Sequence, residues 1–244
     1  MNSRSSIFRS FLLIAACTLS MVAMAQKEKP KTLLYKDRVN AAFDTVNCVK
    51  NVFKINPLLF FRGEIPLYYE RALTPRLSLE VGIGVTYRNF LALSIAGDDA
   101  DDYGRGVEIQ ANPSFHIGAR YYHQIDIEPQ GWYSQLEFAH LEYSKKILHK
   151  DSLGRFPEDP QRSLDVRTYN DLRLYIGYQL FSSSSNWMCD IYGGVAMRSR
   201  HSVKVIEETR VDFTNSRVEY LYSTIESDDT VPAFFLGFKV GLGF

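Results

Sequence analysis

"LSLEVGIGVTYR", Leu77 to Arg88, alternates without a fault. Leu77, Leu79, Val81, Ile83, Val85 and Tyr87 fall on one side; Ser78, Glu80, Gly82, Gly84, Thr86 and Arg88 fall on the other. A strand repeats its side-chain direction every two residues, so this stretch reads as a strand with one apolar face and one polar or very small face. The pattern recurs along the chain. Val107, Ile109, Ala111, Phe115, Ile117, Ala119 and Tyr121 oppose Glu108, Gln110, Asn112, His116 and Arg120. Leu172, Leu174, Ile176, Tyr178 and Leu180 oppose Arg173, Tyr175, Gly177 and Gln179. Trp187, Cys189, Ile191, Val195 and Met197 oppose Asp190, Tyr192 and Arg198. The last thirteen residues, "PAFFLGFKVGLGF", set Phe234, Leu236, Phe238, Val240, Leu242 and Phe244 against Phe235, Gly237, Lys239, Gly241 and Gly243.

These runs exceed the usual strand of about 5–6 residues and suit a tilted membrane-crossing strand of about 9–11. The connections sort by length. Residues 73–76, 124–131 and 182–186 are short, whereas 94–106, 147–166 and the stretch near 200–230 are long and polar. Short turns at one end and long loops at the other are the pattern of an outer-membrane β-barrel. The expected fold is all-β, an antiparallel up-and-down transmembrane barrel of eight strands at about 51–61, 64–72, 77–89, 107–122, 132–146, 167–181, 187–200 and 232–244. Ten strands is the alternative, if 201–231 makes another pair. That pair would turn Glu207 toward lipid, at a cost of a few kcal/mol, so an exposed ribbon continuing the last two strands is preferred. Pro57 and Pro66 belong near strand ends or irregularities. The apolar phase of "WYSQLEFAHLEYS" switches around Ala139, which suggests a bulge.

At the front, Arg4 and Arg9 precede an apolar run that closes in Ala23-Met24-Ala25, the layout of a signal peptide over residues 1–25 cleaved near Ala25. Lipidation of Cys17 is the alternative. Residues 26–49 are expected to form a short periplasmic arm, and 50–244 the barrel. The 28 basic and 28 acidic side chains balance, which argues against a nucleic-acid surface. Cys48 and Cys189 are read as isolated thiols, a pairing being the lesser alternative.

"KINPLLFFRGEIPLYYERALTPRLSLEVGIGVTYR" (54–88), together with the closing "GFKVGLGF", resembles the small outer-membrane β-barrel proteins of Gram-negative bacteria, of the OmpA/OmpX-like kind. It is most similar to a group of unknown function. The resemblance covers the chain from about residue 50. It implies that Phe238, Val240, Leu242 and Phe244 form the terminal signal read by the barrel-assembly machinery. It also implies outer-membrane lipid, periplasmic chaperones and that machinery as partners, and a monomer.

The expected interior charges are Glu70, Glu80, Arg88, Glu108, Arg120, Glu137, Asp171, Arg173, Asp190, Arg198 and Lys239. Buried charges must be paired or wet, and an eight-strand ring is just wide enough for its own side chains. An interlocked interior is therefore expected, with a narrow ion pathway as the alternative. Ser114, His116 and Glu108 share a face, as do His140 and Glu142, but neither set falls in a hydrolase motif. "GDDADDYG" (97–104) lacks the spacing of a calcium loop. Tyr68, Tyr69, Tyr121, Tyr122, Trp132, Tyr133 and Trp187 lie near strand ends, as interfacial girdles do, with carbohydrate stacking the alternative. No enzymatic activity, cofactor or metal is expected. The expected role is structural or surface-interactive, with a narrow pore second and a lipid-modifying enzyme third.

Overall fold

The computed structural model describes residues 35, 37–40, 42–43, 48–88, 106–182, 185–212 and 217–244. The alternating stretches are strands: β1 (Asn51–Ile55), β2 (Glu64–Thr74), β3 (Leu77–Thr86), β4 (Val107–Gln110), β5 (Asn112–Tyr122), β6 (Gly131–Leu148), β7 (Arg162–Phe181), β8 (Trp187–Asp212) and β9 (Arg217–Gly243). All pairings are antiparallel. Because β1 pairs with both β2 and β9, the strands β1-β2-β3-β5-β6-β7-β8-β9 close into a ring of eight. β4 continues β5 and extends its pairing with β6.

Phe244 and Asn51 exchange backbone hydrogen bonds of 2.8 and 3.2 Å, which fastens the last strand to the first. At this lower end the connections are short: 75–76, 123–130 and 182–186. Thr74 shapes the tightest of them, its hydroxyl accepting from the N–H groups of Arg76 (3.2 Å) and Leu77 (3.0 Å). Longer connections gather at the upper end, where β8 and β9 rise as a two-stranded ribbon beyond β7, whose pairing with β8 stops at Val166↔Val203. The ring is thus eight strands, not ten. Glu207 stands exposed on that ribbon beside Lys150 (2.7 Å) and Tyr222 (3.1 Å). Residues 35, 37–40 and 42–43 are helical, with Val39 and Phe43 buried. The signal peptide, Cys17 and the acidic stretch 97–104 lie outside the described residues. Cys48 and Cys189 are free thiols.

Three expectations require correction. The first strand stops at Ile55, and Pro57–Phe60 form a short helix, α1. Asn56 caps it by accepting from Leu58 N–H at 3.1 Å, and Pro57 sits in its first turn, where the missing donor costs nothing. Gly63, at φ +74°, lets the chain turn back into β2. Second, β6 keeps one phase throughout. Its inward residues change from polar (Gln135, Glu137) to apolar (Ala139, Leu141, Tyr143), which mimics a phase switch. The irregularity belongs to the neighbour: Gln110 pairs with Ser144 but Ser114 with Leu141, so the β4–β5 side carries one extra residue around Ala111. Third, each aromatic doublet points both ways. Tyr68, Tyr122 and Tyr133 are buried inside the ring, while Tyr69, Tyr121, Trp132 and Trp187 lie outside.

The short β1 leaves a seam above Ile55. The Asn51–Phe244 bonds set the alternation on β9, so Phe234, Leu236 and Phe238 turn their backbone groups toward a place that no described strand occupies. Pro232 and Pro66 sit on the two edges of that seam, each with its absent N–H toward the gap. Phe234 and Leu236 are accordingly 74% and 79% exposed. α1 fills the lower part of the seam, and Asn56 pins it inward by donating to the Tyr192 hydroxyl at 2.7 Å. Asn56→Ala removes cap and pin together. It is expected to lower stability by about 1–2 kcal/mol, read as an earlier denaturant midpoint.

Candidate functional site: the charged interior

The outer face of the ring is apolar and open. Leu79, Ile83, Ile117, Leu136, Leu174, Ile176, Ile191 and Leu242 are all exposed there. The inner face holds the charges. Glu80, Arg120, Glu137, Asp171, Arg173, Asp190, Arg198 and Lys239, placed inside by alternation alone, are each at most 2% exposed.

They form two linked clusters. In the lower one Glu80 accepts from Lys54 (3.0 Å), Arg120 (3.0 Å), Gln135 (3.0 Å) and Lys239 (2.5 Å). Glu70 accepts from Lys54, Ser78, Arg120 (3.3 Å) and Tyr122 (2.8 Å). Asp190 accepts from Tyr133 at 2.6 Å and lies 3.1 Å from Arg120 and 3.5 Å from Lys54. Gln179 takes Lys54 (2.8 Å) and Arg120 (2.5 Å), and donates to the Pro129 carbonyl (2.5 Å) beneath. In the upper cluster Arg173 reaches Glu137 (3.0 Å) and Asp171 (2.7 Å), and Arg198 reaches Asp171 (2.8 Å). Gln135 joins the two, donating to Glu80 and to Glu137 (3.1 Å).

Aromatic rings carry the cations. Lys239 lies 3.9 Å over Tyr68, Arg120 3.9 Å over Tyr133 and Arg173 4.5 Å over Phe235. The small inward residues make this possible. Tyr68, Tyr133 and Tyr192 each lie across from a glycine on the next strand, Gly82, Gly177 and Gly237, where a β-carbon would fall within 2.7 Å of the ring. On the last strand Gly237 is therefore the seat for the Tyr192 ring.

One expected member is placed elsewhere, and another sits at the end of its strand. Glu108 lies beyond the extra residue near Ala111, which reverses the facing of β4. Its side chain is 52% exposed and 3.9 Å from Arg162. Arg88 lies past the end of β3 and is half-buried. Of the residues that join these clusters, three were missed and a fourth was read differently. Lys54 shares the inward phase of Val52 and Asn56 in "NVFKIN", and Glu64 shares that of Glu70 in "EIPLYYE"; both signals were present in the alternation. Arg62 had none, because it follows a helix. His116 was weighed for catalysis, and it serves instead as a counter-group: Nε2 lies 2.5 Å from Glu64 and Nδ1 3.1 Å from Glu137.

The Ser114–His116–Glu108 grouping is not assembled. Ser114 donates to Glu64 at 3.4 Å, both imidazole nitrogens are directed at carboxylates, and Glu108 points out. His140 and Glu142 lie on the outer face, where His140 meets Asn170 (2.7 Å) and stacks on Phe115 (5.0 Å between ring centres). Of the terminal residues, Phe238, Val240, Leu242 and Phe244 share the outer face, and Phe244 stacks on Phe53 at 5.4 Å.

No known protein-family model matches the chain, and comparison with curated proteins and with solved structures likewise finds no match.

Proposed function

We propose that the protein is an outer-membrane β-barrel with a sealed interior that works through its wall and its upper surface. One observation carries the reading: the ring is turned inside out. Its outer face exposes leucine, isoleucine and phenylalanine, whereas its inner charges are closed from water. A water-soluble protein does not expose an apolar belt of this extent, and a closed ring of strands satisfies its backbone within hydrocarbon. Packed ion pairs across the lumen leave no path for solutes. Structural reinforcement of the membrane and presentation of the upper ribbon to a surface partner follow as its work. In this reading Phe238, Val240, Leu242 and Phe244 serve as the assembly signal, and the low end faces the periplasm.

The upper surface is built for rigidity. His149 stacks flat on Tyr222 at 3.8 Å, and Tyr222 accepts the Lys150 backbone N–H at 3.0 Å, so the 149–161 connection is fastened to the ribbon. The Lys150 ammonium is held charged by its hydrogen bond to Glu207, which raises its pKa.

The test is heat-modifiable gel mobility of protein extracted from outer membranes, followed by bilayer conductance of the folded sample. A mobility shift with silent bilayers is the expected result. Absence from outer membranes overturns the localisation, and steady single-channel steps replace the sealed interior with a narrow pore. The outer-membrane lipid mass profile is expected to be unchanged by His116→Gln; a changed profile would point to lipid modification.

A further inference from the structure

His201 leaves β8 on the outer face of the ribbon, directly across from Asp228 on β9, with Glu226 diagonal to it on the same face. The histidine and both carboxylates offer ligand atoms that all lie within 4.8 Å of one another. The two contacts differ in kind. Nδ1 to Asp228 is 2.7 Å, an ordinary hydrogen bond, whereas Nε2 to Glu226 is 3.8 Å, too long for one. Imidazole that donates Nδ1–H to a carboxylate presents the lone pair of Nε2, the arrangement in which histidine binds zinc. Zinc lies about 2.0–2.2 Å from imidazole nitrogen and carboxylate oxygen, so one ion can touch both Nε2 and Glu226 across the 3.8 Å separation.

We propose that His201 and Glu226 form a divalent-metal site of the zinc class, with Asp228 as the residue that orients His201. The ligand set is nitrogen and carboxylate oxygen, which suits zinc over calcium or magnesium. The side chains are 41% and 69% exposed, so an ion enters directly from solvent and keeps open positions for water or an external oxygen ligand. Thr168 is the neighbour of His201 on β7, Ser199 and Val203 flank it on its own strand, and Arg200 pairs with Asp229 on the opposite face at 2.5 Å. The bound ion bridges β8 to β9 where the ribbon rises above the ring, and so acts as a staple at its base. A proton competes with the metal for the His201 imidazole, so affinity must fall as pH falls.

The experiment uses the untagged, folded full-length chain in detergent micelles, titrated calorimetrically with Zn²⁺ at pH 7.5 and pH 5.5. Gel mobility of each variant confirms an intact ring. One equivalent of Zn²⁺ is expected to bind at pH 7.5 and to bind more weakly at pH 5.5. Binding is lost in His201→Ala and Glu226→Gln, and weakened about 10–100-fold in Asp228→Asn, the usual effect of removing an orienting partner. Zn²⁺ is also expected to slow proteolysis of the ribbon in the parent and not in His201→Ala. No binding by the parent, or equal binding by His201→Ala, overturns the site. Undiminished affinity in Asp228→Asn overturns the orienting role.

Discussion

Replacing Glu80 with alanine is expected to cost about 3–5 kcal/mol, the penalty for leaving buried cations without their counter-charge. Among the described residues, Glu80 gathers donors from four strands. Lys54 from β1, Arg120 from β5, Gln135 from β6 and Lys239 from β9 all donate to it, and Lys239 has no second carboxylate within ion-pair distance among the described residues. The measurement is the denaturant concentration at which the folded form is lost. The double variant Glu80→Ala with Lys239→Met supplies the control. A buried pair replaced as a pair by apolar groups is far less costly than a broken one, so adding Lys239→Met is expected to restore part of the loss. Additive losses would mean that Lys239 does not depend on Glu80, and the hub description would fail.

The second large effect belongs to a residue with no side chain. Gly194 faces inward on β8 opposite Tyr175, and a β-carbon there would lie 2.1 Å from the Leu174 backbone carbonyl. The obstacle is main chain, which cannot rotate aside as a side chain can. Gly194→Val is therefore expected to cost at least the upper part of the usual overpacking range, about 3 kcal/mol, and to lower the yield of folded protein. Gly193 is the paired control. Its β-carbon would meet nothing closer than 3.6 Å, so Gly193→Val is expected to leave stability and yield near those of the parent. Equal behaviour of the two variants would show that the inward phase of β8 is wrong.

Alternation made the ring and most of its interior readable, because a period of two translates directly into inside and outside. It failed where a single residue disturbs the count. The extra residue near Ala111 sends Glu108 outward although it shares the parity of His116 and Arg120. Lys54 and Glu64 followed the rule and were overlooked, since their strands are interrupted by Pro57 and Pro66 and look less regular than Leu77–Arg88. Position near a strand end suggested girdles for Tyr68, Tyr122 and Tyr133, but parity, which turns them inward onto ions, was the stronger guide. Arg62 follows a helical turn, where a two-residue period carries no information. The seam could be inferred only after the register was known, because Pro66 and Pro232 are far apart in sequence and meet across a gap.

The distribution of charge among the strands also constrains the order of events by which the wall is built. Taken as a unit, the β2–β3 hairpin turns Glu64, Glu70 and Glu80 inward and brings no inward cation with them. Their partners arrive on other strands: Lys54 on β1, His116 and Arg120 on β5, Lys239 on β9. If the ring forms in a membrane as proposed, this hairpin entering alone would have to protonate its three carboxylates or bear the cost of burying them unpaired. In the proposed membrane setting the carboxylates of this hairpin are balanced only once β1, β5 and β9 are in place, and the pairing of Asn51 with Phe244 closes the ring around them.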